Sequence, residues 1–164
     1  MKKKGFTLIE LMIAVMIMGT LAAIAVPKLF GIIVKAKVSE VAFSAGAYIK
    51  LQETYIHEHS KGGTWQAIGY RSPAGNSSGK ARNATFEYDA TQSSYNWSAE
   101  NVIKLNDCAQ GKKWFVNFSM EVNSNLVQFW ASSDDTVNCS DVLTPNFKLL
   151  SNAAAAITSP GSVN

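Results

Sequence analysis

One carboxylate, Glu10, interrupts an otherwise apolar run that extends from Phe6 to Val26. A charged side chain in such a run is unfavourable to bury unless a cation or hydrogen-bond donor pairs with it, so residues of this kind are often functional. Glu10 is therefore a candidate functional residue. The alternative is a polar residue near one end of a membrane span whose carboxylate reaches the lipid headgroups.

Two clusters contain residues that can bind metal. The tripeptide His-Glu-His at 57–59 holds both histidines of the chain, but a closed zinc site needs four ligands and no cysteine lies nearby in sequence. Asp134, Asp135 and Asp141 offer oxygen ligands for calcium, at a spacing that matches no defined calcium loop. We expect a solvated helix end at 57–59, and the sequence predicts no metal site and no cofactor, with calcium at the three aspartates as the alternative.

The other residue types do not indicate an enzyme. The sequence contains no nucleophile motif, Walker loop, dinucleotide fingerprint or HExxH helix, so catalysis is not predicted. Four tryptophans could form a surface that stacks on sugars, nucleic acid or a solid, or they could fill the core of a folded domain. They are Trp65, Trp97, Trp114 and Trp130, and we expect at least Trp114 to lie in the core.

Cys108 and Cys139 are the two cysteines of the chain, and both lie in its polar half. In an exported protein we expect them to form a disulfide bond, whereas two unrelated thiols are the alternative. A bridge would close a loop of about 30 residues and stabilise the fold by about 3–4 kcal/mol.

The formal net charge of +3 comes entirely from Lys2, Lys3 and Lys4. Without these three, 12 of the 15 basic residues remain, against 12 acidic ones. A chain with balanced charge has no general attraction for polyanions, so its bulk charge does not support nucleic-acid binding.

The N-terminus joins a cationic flank to a long apolar run, which places the rest of the chain beyond the cytoplasmic membrane. Three interpretations compete. A cleaved secretory signal agrees with the small residues at 23–25, but Glu10 and the helical pattern beyond that point count against it. A permanent anchor agrees with a span of roughly 30 Å for residues 6–26. A prepilin leader is the third interpretation.

Residues around Gly5 favour the prepilin interpretation. Gly5 followed by Phe-Thr-Leu-Ile-Glu at 6–10 resembles the processing signature of type IV pilins and of type II secretion pseudopilins. The likeness continues through Gly19 and Pro27. In that family a prepilin peptidase cuts after the glycine, here Gly5, and methylates the new N-terminal residue, here Phe6. The implied mature chain is 6–164.

The resemblance also implies roles within the helix. Cleavage gives Phe6 a cationic amine, which in a stack of identical helices can pair with Glu10 of the neighbouring subunit. Gly19 and Pro27 are the positions between which helices of this family can lose helical order as the subunit leaves the membrane. The alternative at Pro27 is a kink with no mechanical role.

Periodicity in the remaining sequence predicts an α+β fold. Apolar residues follow helical spacing from Val34 to Tyr55, with Gln52 as an exception. Strand alternation is clearest at 114–122 and 126–130, which form a hairpin around a turn at 123–125. Weaker strands are expected at 85–88, 95–97 and 102–105, and the tail from 151 to 164 is expected to be poorly ordered.

Four segments follow from these patterns. They are a leader (1–5), an apolar membrane or filament-core helix (6–27), an amphipathic helix packed on the head (28–57) and a β head with four or five antiparallel strands (58–164). By resemblance, Cys108 and Cys139 bound an exposed and variable C-terminal region of that head.

The family resemblance implies a structural protein. A pilin is made as a single-pass inner-membrane precursor with a cytoplasmic N-terminus and an external head. Inner-membrane machinery then polymerises it into a homo-oligomeric helical filament at the cell surface, for adhesion, twitching motility or DNA uptake. The alternatives are a pseudopilin of a periplasmic pseudopilus, or a minor or tip pilin whose head binds a ligand or DNA.

Overall fold

The computed structural model describes residues 5–91, 96–121 and 126–152. A long helix, α1 (Leu8–His59), precedes a five-stranded antiparallel sheet in which the strands follow one another in chain order. The strands are β1 (Lys80–Arg82), β2 (Phe86–Asp89), β3 (Trp97–Asn101), β4 (Lys113–Glu121) and β5 (Leu126–Ser133). This is the α+β architecture that the sequence predicts.

The predicted β4–β5 hairpin is confirmed, while residues 122–125 of its turn lie outside the described residues. Its register pairs Trp114 with Ser133 and Phe118 with Phe129. Because side chains alternate along a strand, these residues share the inner face of the sheet, against which α1 packs. The expected strand at 85–88 is also present, one residue later.

Two of the weaker strand predictions need correction. The strand expected at 95–97 begins at Trp97 and runs to Asn101, and the one expected at 102–105 is a loop with a single bridge. Buried Asn101 explains the loop, because its side chain accepts a hydrogen bond from the Lys112 N–H at 2.7 Å and donates to two loop carbonyls. β1 is a three-residue edge strand without apolar alternation, so no pattern in the sequence predicts it.

The C-terminal half of α1 packs on the sheet through the predicted face. Its buried apolar residues are at most 1% exposed: Val38, Val41, Ala45, Tyr48 and Ile56. Glu40, a charged residue in this part of α1, accepts hydrogen bonds from the Tyr88 hydroxyl and the Asn83 amide, both at 2.7 Å. Burial raises the pKa of Tyr88 above its ordinary value, so the phenol stays protonated and donates.

Gln52, the exception in the apolar pattern, is fully buried. With its amide oriented to satisfy both atoms, the nitrogen donates to the Gly63 carbonyl and the oxygen accepts from the Gly63 N–H, each at 3.0 Å. The helix ends at Ser60, which adopts a left-handed conformation with φ of 54°. Gln52 therefore binds the backbone of the chain as it turns away from α1.

Replacing Gln52 with Ala should destabilise the head by about 2–4 kcal/mol, because it creates a cavity and leaves the buried backbone groups of Gly63 unpaired. Denaturant unfolding of the full chain in detergent measures this difference. Gln66→Ala, at an exposed position after the helix, is the matched control and should change stability little. Equal stabilities of the two variants would show that the Gln52 amide contributes nothing.

Cys108 and Cys139 form the predicted disulfide bond, with their Cα atoms 4.9 Å apart. Both residues are fully buried. Cys108 lies in the loop between β3 and β4, and Cys139 lies in a helical turn (Thr136–Ser140) that follows β5. The bond therefore ties the segment after the sheet to one end of its central strands.

Ser151 and Asn152 cover the free edge of β5. Asn152 donates its N–H to the Phe129 carbonyl at 3.1 Å, and its side chain accepts from the Phe129 N–H at 2.5 Å. The Ser151 hydroxyl oxygen accepts from the Ala131 N–H at 2.8 Å. The expectation of a poorly ordered tail fails for these two residues, and residues 153–164 lie outside the described part.

Candidate functional site

The first half of α1 projects from the head with its apolar side chains exposed. Phe6 is 79% exposed, Leu8 77% and Met16 69%. The helix contains a stretch long and apolar enough to cross a membrane, and that stretch has no buried residue. The exposed large apolar residues of this half run from Leu8 to Ile33, and the division of the helix at residue 27 stays a prediction.

A capping box forms the start of α1. The Thr7 hydroxyl oxygen accepts a hydrogen bond from the Glu10 N–H at 3.3 Å, and Glu10 Oε2 accepts from the Thr7 N–H at 2.8 Å. The Thr7 hydroxyl also donates to Glu10 Oε2 at 2.7 Å. Such reciprocal bonds satisfy backbone donors that the first helical turn leaves unpaired.

The capping box gives Glu10 a role in its own chain that the sequence analysis missed. The signal was present, since Thr-x-x-Glu ahead of an apolar run is the pattern of a capping box. Thr7 N–H belongs to the peptide bond with Phe6, so cleavage after Gly5 leaves this donor intact. The cap can therefore form in the precursor and in the implied mature chain alike.

The other predicted residues of this region are all accessible. Gly5 and Phe6 precede the helix, and a Cβ built on Gly5 would have no atom within 4 Å. The same is true of Gly19, and α1 runs unbroken through Gly19 and Pro27. Cleavage after Gly5 and loss of helical order between Gly19 and Pro27 both stay predictions.

The candidate metal ligands are held by interactions within the protein, the histidines at the end of α1 and the aspartates around the turn at 136–140. His59 stacks on the Tyr55 ring with centroids 4.1 Å apart, at the exposed end of α1. Asp135 caps the turn at 136–140, and hydrogen bonds from the backbone and side chain of Asn138 hold the pKa of its carboxyl below the ordinary value. Asp141 pairs with Lys148 at 2.5 Å. Within the described ranges, no three potential ligands form a metal-binding group.

Three of the four tryptophans belong to the core, at most 2% exposed: Trp65, Trp97 and Trp114. The Trp97 indole donates to the Tyr70 hydroxyl at 2.7 Å, and that of Trp114 donates to Thr144 Oγ1 at 3.0 Å. Core packing of Trp114 is thus confirmed. Trp130 is half-buried on the outer face of the sheet, so the four residues form no common stacking surface.

Comparison with known proteins concerns the same N-terminal region. Residues 1–26 match the prokaryotic N-terminal methylation motif. The type IV major fimbrial protein FimA of Dichelobacter nodosus is 45% identical over 60 residues, which are 37% of this chain and 38% of that protein. The type IV major pilin protein PilE1 of Neisseria gonorrhoeae is 39% identical over 82 residues, 48% of this chain and 36% of the relative.

PilA of Myxococcus xanthus (strain DK1622), also a type IV major pilin protein, is 40% identical over 60 residues, 37% of this chain and 27% of the relative. The chain thus spans less than two fifths of the length of these relatives in each alignment. No solved structure matches it at a significant level. The motif and the relatives support the assignment of the chain to the type IV pilin family, as the sequence predicts.

Proposed function

We propose that this chain is a structural subunit of a type IV pilus, which polymerises through its N-terminal helix into a surface filament. The observation that carries the proposal is the apolar half of α1, whose large side chains are exposed over more than six helical turns, from Leu8 to Ile33. An exposed apolar surface of this size must be buried against lipid or protein. The membrane covers it in the precursor, and the helices of other copies cover it in the filament.

The partners and the cellular location of the chain follow from the need to bury this apolar surface. A prepilin peptidase cuts after Gly5 and methylates Phe6, and inner-membrane assembly machinery moves the subunit from the bilayer into the fibre. The head stays outside the cell membrane throughout. An oxidising exterior agrees with the Cys108–Cys139 bond. Adhesion, twitching motility and DNA uptake are the uses open to such a fibre.

Within the filament, Glu10 pairs with the methylated amine of Phe6 of a neighbouring copy. Both groups lie at the same end of α1. When a carboxylate and an amine leave water together, the attraction between them offsets the desolvation penalty of each. Glu10 can keep its bonds to Thr7 while a carboxylate oxygen meets the amine, because a carboxylate accepts several hydrogen bonds. A subunit out of register would leave both charges unpaired.

The relatives favour a pilus over a pseudopilus, since they are major pilins and fimbrial proteins. A pseudopilin would instead be expected to match subunits of secretion pseudopili. The two differ in where the assembled protein is found, because a pilus can be sheared from the cell surface and a pseudopilus remains in the periplasm.

Intact-mass analysis of sheared surface fibres tests this function. We expect the chain to be a main component of the fibres, to start at Phe6 and to carry one added methyl group. A mature chain that starts at Val26 would instead identify an ordinary exported protein. Recovery of the processed chain only from membranes and periplasm would favour the pseudopilus.

A further inference from the structure

We propose that the outer face of the β4–β5 hairpin binds a neutral carbohydrate. This surface, the hairpin outer face, consists of six outward-facing residues: Phe115, Asn117 and Ser119 of β4, and Gln128, Trp130 and Ser132 of β5. The site lies on the head, away from the helix that carries the proposed filament function, and it does not depend on that function.

Strand register places an aromatic ring among amides and hydroxyls. Asn117 lies directly opposite Trp130, and Ser119 opposite Gln128. Phe115 faces Ser132 and is the diagonal neighbour of Trp130. Side chains in such positions on one face are about 5–8 Å apart at Cβ, which is the scale of one sugar ring. All but the exposed Ser119 are half-buried and lie close to the sheet.

The polar side chains of this face make no hydrogen bonds to other residues that the structure describes. Across residues 5–91, 96–121 and 126–152, no hydrogen bond involves the side-chain amides of Asn117 and Gln128, the hydroxyls of Ser119 and Ser132, or the Trp130 indole. The inner-face indoles of Trp97 and Trp114, by contrast, each have an acceptor. These donors and acceptors are partly exposed and are therefore available to a ligand that supplies both kinds of group.

A depression of about 250 Å³ adjoins the hairpin outer face at the β3 side, large enough for a single sugar unit. Its lining includes Phe115 and Asn117 together with Ser98 and Lys113. The Lys113 ammonium lies 3.6 Å from the Glu100 carboxylate, so its charge is compensated within the protein. The lining also includes Asp134, whose carboxylate accepts a hydrogen bond from the Lys113 N–H at 3.2 Å and can accept one from a sugar hydroxyl as well. The depression therefore offers an aromatic edge and hydrogen-bonding groups, and no uncompensated cation for an anionic ligand.

A sugar ring is complementary to both the aromatic and the polar residues of this surface. The C–H groups of a pyranose present an apolar face that stacks on indole, and its hydroxyl or acetamido groups exchange hydrogen bonds with Asn and Gln amides. A polyanion would find no cationic field among the six residues. Leu126, which is 52% exposed, continues this face toward the end of the hairpin, but the largest exposed apolar side chains that a second copy could cover lie elsewhere on the packed part of the chain: Phe43, Val137 and Leu149.

Calorimetric titration of the full chain in detergent with cello-oligosaccharides and chito-oligosaccharides tests the proposal. We expect at least one series to bind with a dissociation constant of about 0.1–1 mM, as befits a shallow and partly exposed site. Trp130→Ala should weaken binding about tenfold or more, whereas Trp130→Phe keeps a stacking ring and should lose only a few-fold. Asn117→Ala and Gln128→Ala should each weaken binding about threefold to tenfold.

Phe43→Ala is the matched control, since it removes an exposed aromatic ring from another face. It should leave sugar binding unchanged, and thermal melts establish that each variant is folded. Binding should change little with added salt, because no charge pairs form. Absence of binding to both sugar series, equal binding by Trp130→Ala, or salt-sensitive binding of a single-stranded DNA oligonucleotide in their place would each overturn the proposal.

Discussion

Replacing Glu10 with Ala should reduce the yield of surface fibres by about tenfold or more, because every added subunit loses a charge pair that forms away from water. Membrane insertion and cleavage after Gly5 should stay largely intact, since neither step needs the carboxylate on α1. Electron microscopy and quantification of sheared fibres measure assembly. Immunoblotting of membranes for the processed chain measures the earlier steps.

The capping box makes a sharper comparison possible. Glu10→Gln removes the charge but can still accept hydrogen bonds from Thr7, because Gln serves at this position of a capping box as well as Glu does. Thr7→Ala removes the cap partner and keeps the charge. If Glu10 acts through its pairing with the Phe6 amine, Glu10→Gln should assemble as poorly as Glu10→Ala, and Thr7→Ala should be the milder variant.

The opposite pattern would assign Glu10 to helix capping alone. In that case Glu10→Gln assembles normally, while Glu10→Ala and Thr7→Ala share a defect. Thr20→Ala is the matched control, because Thr20 is also exposed on the apolar half of α1 and, among the described residues, its hydroxyl bonds to the Ile17 carbonyl of its own helix alone. Fibres from this control should form in normal amounts.

The sequence predicts most of what periodicity and length determine. Period-2 alternation located the β4–β5 hairpin, and the change from continuous to periodic apolar residues located the point near Val34 where α1 meets the head. These signals are strong because burial of one face selects the same residue types at every repeat. The family signature around Gly5 added the processing that periodicity cannot show.

What the sequence missed depends on single polar contacts. Asn101 ends β3 by binding the loop that follows, and Glu40 turns from the polar face of α1 toward Tyr88 and Asn83. Gln52 fills a core position by capturing the Gly63 backbone. Each of these residues is polar in a position that only the folded chain provides with partners, so no pattern along the sequence distinguishes it from a solvated residue.

The features of the candidate site likewise divide into those that sequence patterns predict and those that only the folded chain shows. Exposure of the apolar helix follows from its length, because one small head cannot cover a helix of roughly 78 Å. The intramolecular bonds of Glu10 and the unpartnered side chains around Trp130 required the folded arrangement. Sequence alone could list the four tryptophans, but only strand register separates three core residues from the one that faces outward.

Removal of the Cys108–Cys139 bond should lower the free energy of unfolding by about 3–4 kcal/mol, because the bond joins residues 31 apart and restricts the unfolded chain. For a chain of this size the midpoint of thermal unfolding should fall by about 10 °C. The double variant Cys108→Ala with Cys139→Ala is the right comparison, since two alanines avoid the unpaired hydroxyls that serine would bury. Thermal melts of the full chain in detergent measure the change.

Wild-type protein under reducing conditions supplies the matched control. Both sulfurs are buried, so a thiol reductant should not reach them until the head opens, and the oxidised form should persist in reductant at temperatures well below the melt. Once unfolded and reduced, wild type should remelt at the midpoint of the double variant. A double variant that melts within about 2 °C of oxidised wild type would mean that Ser151, Asn152 and the core contacts of Phe147 already hold the C-terminal segment without the bond.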